Sequence, residues 1–283
     1  MMDKGDMTTG RVPRRLADWL SHRLLGRSYV LHTRVDAGAG RPVVLLHGIA
    51  SSGESWRHVV RQLMGAPARL VVLDLLGFGA SPKPKDKWVN YDVTDHARAV
   101  IRTLSRLRLG EPALLVGHSM GCFVAVEVAT LRPDMVDRLI LFEPPFYVGL
   151  PDTNKYKLRL AAYFSLYRAI IKRQPSGTKR FAAAKKLIAR ISGFEIAPEN
   201  WVPFQRSMKN TILKQTALND IKKLQLPIQI VYGKFDQVVI NDKKKVFLGT
   251  GAPHVTAMDT PGLHGISPRA SKVLARLILQ TLV

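Results

Sequence analysis

The sequence predicts an α/β fold: a mainly parallel, doubly wound sheet with a helical cap inserted late in the sheet. Three observations support this prediction: apolar runs of strand length, helical segments between them, and a stretch near residues 148–224 without strand patterning. A parallel strand covered on both faces is a nearly continuous apolar run. Such runs alternating with helices indicate a sheet that carries helices on both faces.

Seven segments have the composition of strands. Residues 28–35 alternate between apolar and polar side chains, as a half-exposed strand does. Most of the others are continuous apolar runs that end at Gly or Pro, as buried strands do. The predicted strands are 28–35, 42–48, 70–77, 112–119, 136–145, 227–236 and 254–262.

The stretch near residues 148–224 is predicted to form three or four helices, and three further segments have helical patterning. Residues 13–26 carry an apolar stripe with basic residues beside it, which fits packing on the domain or, alternatively, contact with a membrane surface. A second helix follows the fourth strand and ends before Pro133. The third spans residues 267–282, with Ser267 as its N-cap and Pro268 at its first position.

The break in the strand pattern predicts the domain organisation. Residues 1–148 and 224–283 form the core, and residues 149–223 form the cap. Residues 151–225 contain 16 Lys or Arg and 4 Asp or Glu, so they contribute +12 of the net charge of +22. This basic face is either a solvated surface or a weak contact for anionic lipid or for a negatively charged acyl substrate.

Composition narrows the class of protein. The chain has 283 residues, of which 46% are hydrophobic, so it can bury a sizeable core. Its one cysteine excludes a disulfide framework and a Cys-rich zinc site. It has no apolar run long enough to span a membrane and no secretory signal, so we expect a cytoplasmic protein. A strongly positive charge is found in proteins that bind nucleic acid, anionic membranes or acidic substrates, and also in ordinary proteins of a basic proteome. The signature modules of nucleic-acid binding are missing, so we expect no such partner.

The most informative motif is Gly117-His118-Ser119-Met120-Gly121, which stands between the fourth strand and a helix. A serine nucleophile must be held at the apex of a tight strand-to-helix turn, with its hydroxyl clear of the sheet. Side chains two positions before and after the serine would clash, so both positions require small residues. The motif therefore predicts Ser119 as a nucleophile.

A serine nucleophile needs a base, and the base needs an acid that orients it. His264 follows the last strand in Gly-Leu-His-Gly, and Asp236 follows the sixth strand in Gly-Lys-Phe-Asp. Loops at the carboxyl ends of strands are where such a sheet places its site. Glu143, after the fifth strand, is the alternative acid, and Asp236 is preferred.

An oxyanion hole requires backbone N–H groups. We expect one from Met120, directly after the nucleophile, and one from Ile49 in the loop after the second strand. His47 is interpreted as a structural residue of that loop, and Asp74 and Ser81 as parts of a structural turn. The scattered histidines show no metal-ligand spacing, and no phosphate- or dinucleotide-binding loop is present, so we expect no metal and no cofactor.

With these motifs in place, the chain resembles the α/β-hydrolase superfamily, in the branch of capped serine hydrolases and esterases. The matching stretches, in the family's order across roughly residues 29–282, are VVLLHG, DLLGFGASPKP, LLVGHSMG, LPIQIVYGKFDQVV and PGLHG. The resemblance implies a catalytic triad at Ser119, Asp236 and His264 and oxyanion donors at Ile49 and Met120.

We therefore expect a cofactor-free serine hydrolase that acts on carboxylic esters, with a small-molecule ester or acyl compound as its substrate. Carbon–carbon hydrolysis of vinylogous diketones is an alternative, although Gly265 stands where relatives of that kind often carry an aromatic residue. Thioesterase and lactonase activities use similar machinery. A ligand-binding protein without turnover is disfavoured because all three triad residues are present. The sequence leaves the physiological substrate and the oligomeric state open.

Overall fold

The computed structural model describes residues 28–146, 197–236 and 252–282. The predicted helix 13–26 and most of the predicted cap lie outside these residues. A seven-stranded sheet organises the described chain. Its strands are β1 (Thr33–Ala37), β2 (Arg41–Leu46), β3 (Ala68–Leu73), β4 (Ala113–His118), β5 (Val136–Phe142), β6 (Ile228–Gly233) and β7 (Val255–Thr260).

The strand order in the sheet is β1-β3-β2-β4-β5-β6-β7. Only β1 pairs antiparallel, with β3, and the other described pairings are parallel. The mainly parallel, doubly wound sheet predicted from the sequence is therefore confirmed. Because β4 lies at the centre, its carboxyl end is flanked by the ends of β2 and β5, which is where ligands bind in open α/β sheets.

The first predicted strand needs a correction, because the ladder begins at Thr33 and not at residue 28. The backbone N–H groups of Leu31 and His32 donate instead to Oγ1 of Thr103, at 2.9 Å, and to Oγ of Ser81, at 2.8 Å. These residues thus bond to side chains from elsewhere in the domain. The strand then continues two residues beyond the predicted end, to Ala37.

The described helices are α1 (Arg57–Leu63), α2 (Val93–Leu107), α3 (Met120–Leu131), α4 (Trp201–Ser207), α5 (Ala217–Ile221) and α6 (Pro268–Leu282). A π-helical segment, Met208–Ile212, follows α4 directly. Within these ranges, no helix is both long and apolar enough to cross a membrane.

Alternate side chains along the buried strands enter two separate cores. On one face, Val44 and Leu46 of β2 pack in a cluster with α2, α3, α4 and α5. On the other face, Val43 and Leu45 pack in a cluster with α1 and α6. Helices therefore cover both faces of the sheet, which explains why the parallel strands are apolar throughout.

Candidate active site

The turn between β4 and α3 presents Ser119 at the centre of the sheet. Ser119 has φ 53° and ψ −118°, a conformation that a non-glycine residue adopts only when its surroundings enforce it. Its N–H donates to the carbonyl of Phe142 at 3.0 Å, and its carbonyl accepts from the N–H of Cys122 at 3.0 Å. Hydrogen bonds on both sides therefore hold the strained turn.

The glycines of the motif are a steric requirement of this turn. A Cβ atom at Gly117 would lie 2.5 Å from the carbonyl oxygen of Gly121. A Cβ atom at Gly121 would lie 2.3 Å from the carbonyl oxygen of Leu46, at the end of the neighbouring β2. Both separations are far shorter than van der Waals contact, so no side chain fits at either position.

Three residues distant in sequence meet at this turn. Asp236 follows β6, and His264 lies in the loop between β7 and α6. Nδ1 of His264 is 2.8 Å from Oδ2 of Asp236, and Nε2 of His264 is 3.1 Å from Oγ of Ser119. A carboxylate accepts only, so Nδ1 carries the proton and Nε2 accepts from the serine hydroxyl. This is the geometry of a nucleophile, a base and an orienting acid.

Backbone hydrogen bonds bring the two loops of this arrangement together. The N–H of Lys234 donates to the carbonyl of Thr260 at 2.8 Å, and the N–H of Phe235 donates to that of Gly262 at 2.9 Å. The side chains of Asp236 and His264 are 1% and 5% exposed. The contact between them is therefore shielded from competing water.

The predicted oxyanion residues are Met120, directly after Ser119, and Ile49, in the loop after β2. Met120 is the first residue of α3, where a backbone N–H has no acceptor within its own helix. Ile49 lies in the loop after β2 and is buried, and the next residue, Ala50, has φ 53°. A Cβ at Gly48 would lie 3.1 Å from the Cβ of Ser119, which shows how closely this loop approaches the serine.

His47 anchors that loop. Its Nδ1 is 2.7 Å from the carbonyl of Gly48, and its Nε2 accepts from the N–H of Leu75 at 2.8 Å. Only the neutral ring with the proton on Nδ1 makes both bonds. Burial lowers the pKa of His47 to about 4, so this neutral form persists at neutral pH. The geometry agrees with the structural role that the sequence suggested.

Asp74 organises a neighbouring turn. Its carboxylate accepts from the N–H groups of Gly53, at 2.7 Å, and Ala80, at 2.8 Å, and from Arg34 at 3.1 Å. Burial opposes its ionisation, but these donors outweigh burial and hold the pKa of Asp74 below its usual value. The hydroxyl of Ser81 donates to the carbonyl of Asp74. Asp74 and Ser81 thus form a structural turn.

Glu143, the alternative acid, lies next to the same histidine. Its Oε2 is 3.7 Å from Nδ1 of His264, whereas Asp236 is at 2.8 Å, so Asp236 is the acid in hydrogen-bond contact. Oε2 accepts instead from the N–H of Gly265 at 2.6 Å. Burial and the nearby Asp236 raise the pKa of Glu143 to about 9.

Potential metal ligands also meet here. Ligand atoms of His118, Glu143 and His264 lie within 4.8 Å of one another. Those of Glu143 and His264 already bond to Gly265 and Asp236.

Cys122 lies beneath the turn, where burial raises the pKa of its thiol well above the usual value and keeps it in the unreactive protonated form.

Two contacts of the site region have no local sequence signal. One is the hydrogen bond from Gly265 to Glu143, which joins residues 122 positions apart. The other joins the core to the segment after residue 197: Nε2 of His96 in α2 is 3.0 Å from Oγ of Ser207 in α4. Arg206 strengthens that junction by donating to the carbonyls of Asp86, at 2.6 Å, and Val89, at 2.7 Å.

Parts of the chain are similar in sequence to proteins named as hydrolases or lipases. The chain is 32% identical over 151 residues to a probable lysophospholipase, BODYGUARD 1, of Arabidopsis thaliana, a match that covers 50% of this chain and 32% of that protein. It is 38% identical over 110 residues to a 2-hydroxymuconate semialdehyde hydrolase of Pseudomonas sp. strain CF600, covering 38% of this chain and 37% of that protein. Both matches thus span about a third of the relative's own length.

Solved structures match over more of the chain. The structure of a bromoperoxidase from Bacillus anthracis aligns with a TM-score of 0.67 and 21% identity, covering 90% of this chain and 99% of that one. The sequence model of the α/β hydrolase fold family matches residues 41–258, which include β2 to β6, the first part of β7, and both Ser119 and Asp236. The chain therefore belongs to the α/β hydrolase family.

Proposed function

We propose that the protein is a cofactor-free serine hydrolase that acts on carboxylic esters. The observation that carries this proposal is the continuous hydrogen-bond chain from Asp236 through His264 to Ser119, with distances of 2.8 and 3.1 Å. It joins a nucleophile, a base and an acid at the carboxyl end of a parallel sheet, in the arrangement that activates a serine hydroxyl.

In the first half of the reaction, Nε2 of His264 takes the proton from Ser119 as Oγ attacks the ester carbonyl. Asp236 holds the imidazole in the required tautomer and stabilises its charged form. The tetrahedral intermediate collapses when His264 donates the proton to the departing alcohol. In the second half, His264 activates water, which hydrolyses the acyl-enzyme and regenerates Ser119.

The backbone N–H groups of Ile49 and Met120 are proposed to bind the oxyanion. The start of α3 favours negative charge at Met120. The hydrogen bonds of His47 to Gly48 and Leu75 support a fixed position for the loop of Ile49. Because these donors are held before the substrate arrives, they need no reorganisation when charge develops.

We further propose that residues 149–223 form a cap over the acyl pocket. The described part of this segment supports docking on the core: α4 bonds to α2 through Ser207, and Thr211 donates to the carbonyl of Tyr91 at 2.8 Å. Contact of the basic cap with anionic lipid, and a cytoplasmic location, stay predictions of the sequence.

A second candidate is hydrolysis of a carbon–carbon bond in a vinylogous diketone. The similarity to the semialdehyde hydrolase favours it. Gly265, directly after His264, disfavours it, as the sequence already indicated. The similarity to a probable lysophospholipase is to a protein named for ester hydrolysis, which supports the first candidate.

Hydrolysis of a series of p-nitrophenyl esters, from acetate to palmitate, tests the ester proposal. Wild type should turn over at least one ester, and Ser119→Ala should lower the rate on the order of 10⁴-fold or more. The acyl chain length that is hydrolysed fastest then indicates the size of the acyl pocket. Equal rates in the two proteins, or hydrolysis of a vinylogous diketone without ester hydrolysis, would overturn the ester assignment.

A further inference from the structure

Glu143 occupies an unusual position directly after β5. Its backbone has φ 51°, and its N–H donates to the carbonyl of Val231 in the neighbouring β6 at 2.7 Å. The side chain is fully buried. A strained backbone at the carboxyl end of a central strand is typical of a residue with a functional task, and this glutamate has no part in the hydrogen-bond chain of Ser119.

The carboxyl of Glu143 reaches the loop of the catalytic histidine. Its Oε2 accepts from the N–H of Gly265 at 2.6 Å, one residue after His264. The same oxygen is 3.7 Å from Nδ1 of His264 and 3.6 Å from Nε2 of His118. Glu143 therefore fixes the backbone next to His264 and holds a second carboxyl close to the nitrogen that Asp236 contacts.

The fold leaves space for this carboxyl. A Cβ atom at Gly233 would lie 2.7 Å from Oε1 of Glu143, so only glycine fits there without displacing the glutamate. Oε1 has no hydrogen-bond partner among the described residues. A buried carboxylate with an unsatisfied oxygen is far more costly than a neutral acid in the same place.

The charges around Glu143 also oppose its ionisation. The titratable groups that face it are His118 from β4, His264 from the loop before α6, Asp236 after β6, and Cys122 from α3. Burial and Asp236 raise its pKa to about 9, against the opposing effect of the Gly265 N–H. Of two carboxyls at one histidine, one is held neutral by the charge of the other.

We propose that Glu143 is a second acid of the site: it positions the His264 loop through Gly265, and it becomes the partner of Nδ1 when the carboxylate of Asp236 is removed. This inference rests on the proposed hydrolase function. Oε2 of Glu143 is 3.7 Å from Nδ1 of His264. A movement of about 1 Å would bring these two atoms to hydrogen-bond distance.

The test compares ester hydrolysis by wild type, Asp236→Asn, Glu143→Gln and the double variant. Glu143→Gln keeps an acceptor for Gly265 and should lower kcat only slightly. Asp236→Asn should lower kcat by about 10- to 100-fold and leave a rate that rises with pH as Glu143 ionises. The kcat of the double variant should be at least about 10-fold lower than that of Asp236→Asn, and it should not rise with pH. The two substitutions are expected to be non-additive because both carboxyls act on the same histidine.

A matched control is Glu54→Gln in the Asp236→Asn background, because the Glu54 side chain is 59% exposed. The kcat of the Glu54→Gln/Asp236→Asn double variant should equal that of Asp236→Asn alone. A Glu143→Gln/Asp236→Asn rate equal to that of Asp236→Asn, or an Asp236→Asn rate already equal to that of Ser119→Ala, would overturn the reserve role. Failure of the hydrolase proposal is distinct, because wild type would then show no Ser119-dependent rate.

Infrared spectroscopy tests the protonation state without using activity. The carbonyl stretch of a protonated carboxyl should be present in wild type at pH 7 and absent in Glu143→Gln. It should weaken in Asp236→Asn at the same pH, because loss of the neighbouring charge favours ionisation of Glu143. A wild-type spectrum at pH 7 identical to that of Glu143→Gln would contradict a neutral Glu143.

Discussion

Gly48 and Ser119 lie so close together that a Cβ atom at Gly48 would be 3.1 Å from the Cβ of the serine. The same atom would be 3.2 Å from Nδ1 of His118. The loop after β2 therefore approaches the strained turn without any side chain between them. Ile49, the proposed oxyanion donor, is the residue directly after Gly48 in this loop.

Gly48→Ala should reduce kcat by about 10- to 100-fold while the protein stays folded. The added methyl group must displace either this loop or the side chains of Ser119 and His118 by a few tenths of an ångström. Small displacements of positioning groups cost rates of this order. Steady-state ester hydrolysis and circular dichroism measure the two effects. Gly262→Ala is the control, since a Cβ at Gly262 meets nothing closer than 4.0 Å. Equal losses in both variants would contradict the argument.

Acid should destabilise the protein through its buried histidines. Burial lowers the pKa of His96 to about 3, whereas an unfolded histidine titrates at 6.5. Between these values the unfolded state binds a proton that the native state does not. The stability contributed by neutral His96 is therefore complete above pH 6.5 and is lost as the pH falls towards 3.

His96→Gln measures this effect, because glutamine can keep a hydrogen bond to Ser207 without titrating. Urea unfolding between pH 5 and 6 should give a free energy that falls less steeply with acid than in wild type. The slopes should differ by up to about 1.4 kcal/mol per pH unit, the value for one proton. Identical slopes would mean that His96 is charged in the native state.

The contribution of Glu143 to stability should depend on pH in the opposite direction to that of His96. Its pKa rises from 4.5 to about 9 on folding, so the native state binds the extra proton in this range. The stability contributed by the neutral acid is complete below pH 4.5 and is lost as the pH rises through about 9. Glu143→Gln should therefore become more stable relative to wild type from pH 5 to pH 8.5, by urea unfolding. A constant difference would refute the raised pKa.

The sequence predicts the strands and the local motifs well because their signals are local. Buried parallel strands are apolar throughout, and the turn at Ser119 needs small residues at fixed spacing. The start of β1 is different, because it depends on acceptors at Ser81 and Thr103, which lie 49 and 72 positions away. The alternating pattern of residues 28–35 carries no trace of these partners.

The surroundings of the triad are equally hard to predict. The sequence identifies Glu143 only as an alternative acid, because its hydrogen bond to Gly265 depends on how two strand ends meet in space. Likewise, neither His96 nor Ser207 lies in a motif, although their bond joins α2 to α4. These contacts arise from tertiary packing, which residue patterns do not encode directly.

Covalent trapping of Ser119 by a fluorophosphonate tests the central claim most directly. The account predicts a single adduct, found by mass spectrometry on the peptide that contains Ser119, and no adduct in Ser119→Ala. Labelling should be much slower in His264→Gln, because the serine then lacks its base. Absence of an adduct in folded wild type, or an adduct on another residue, would contradict Ser119 as the activated nucleophile.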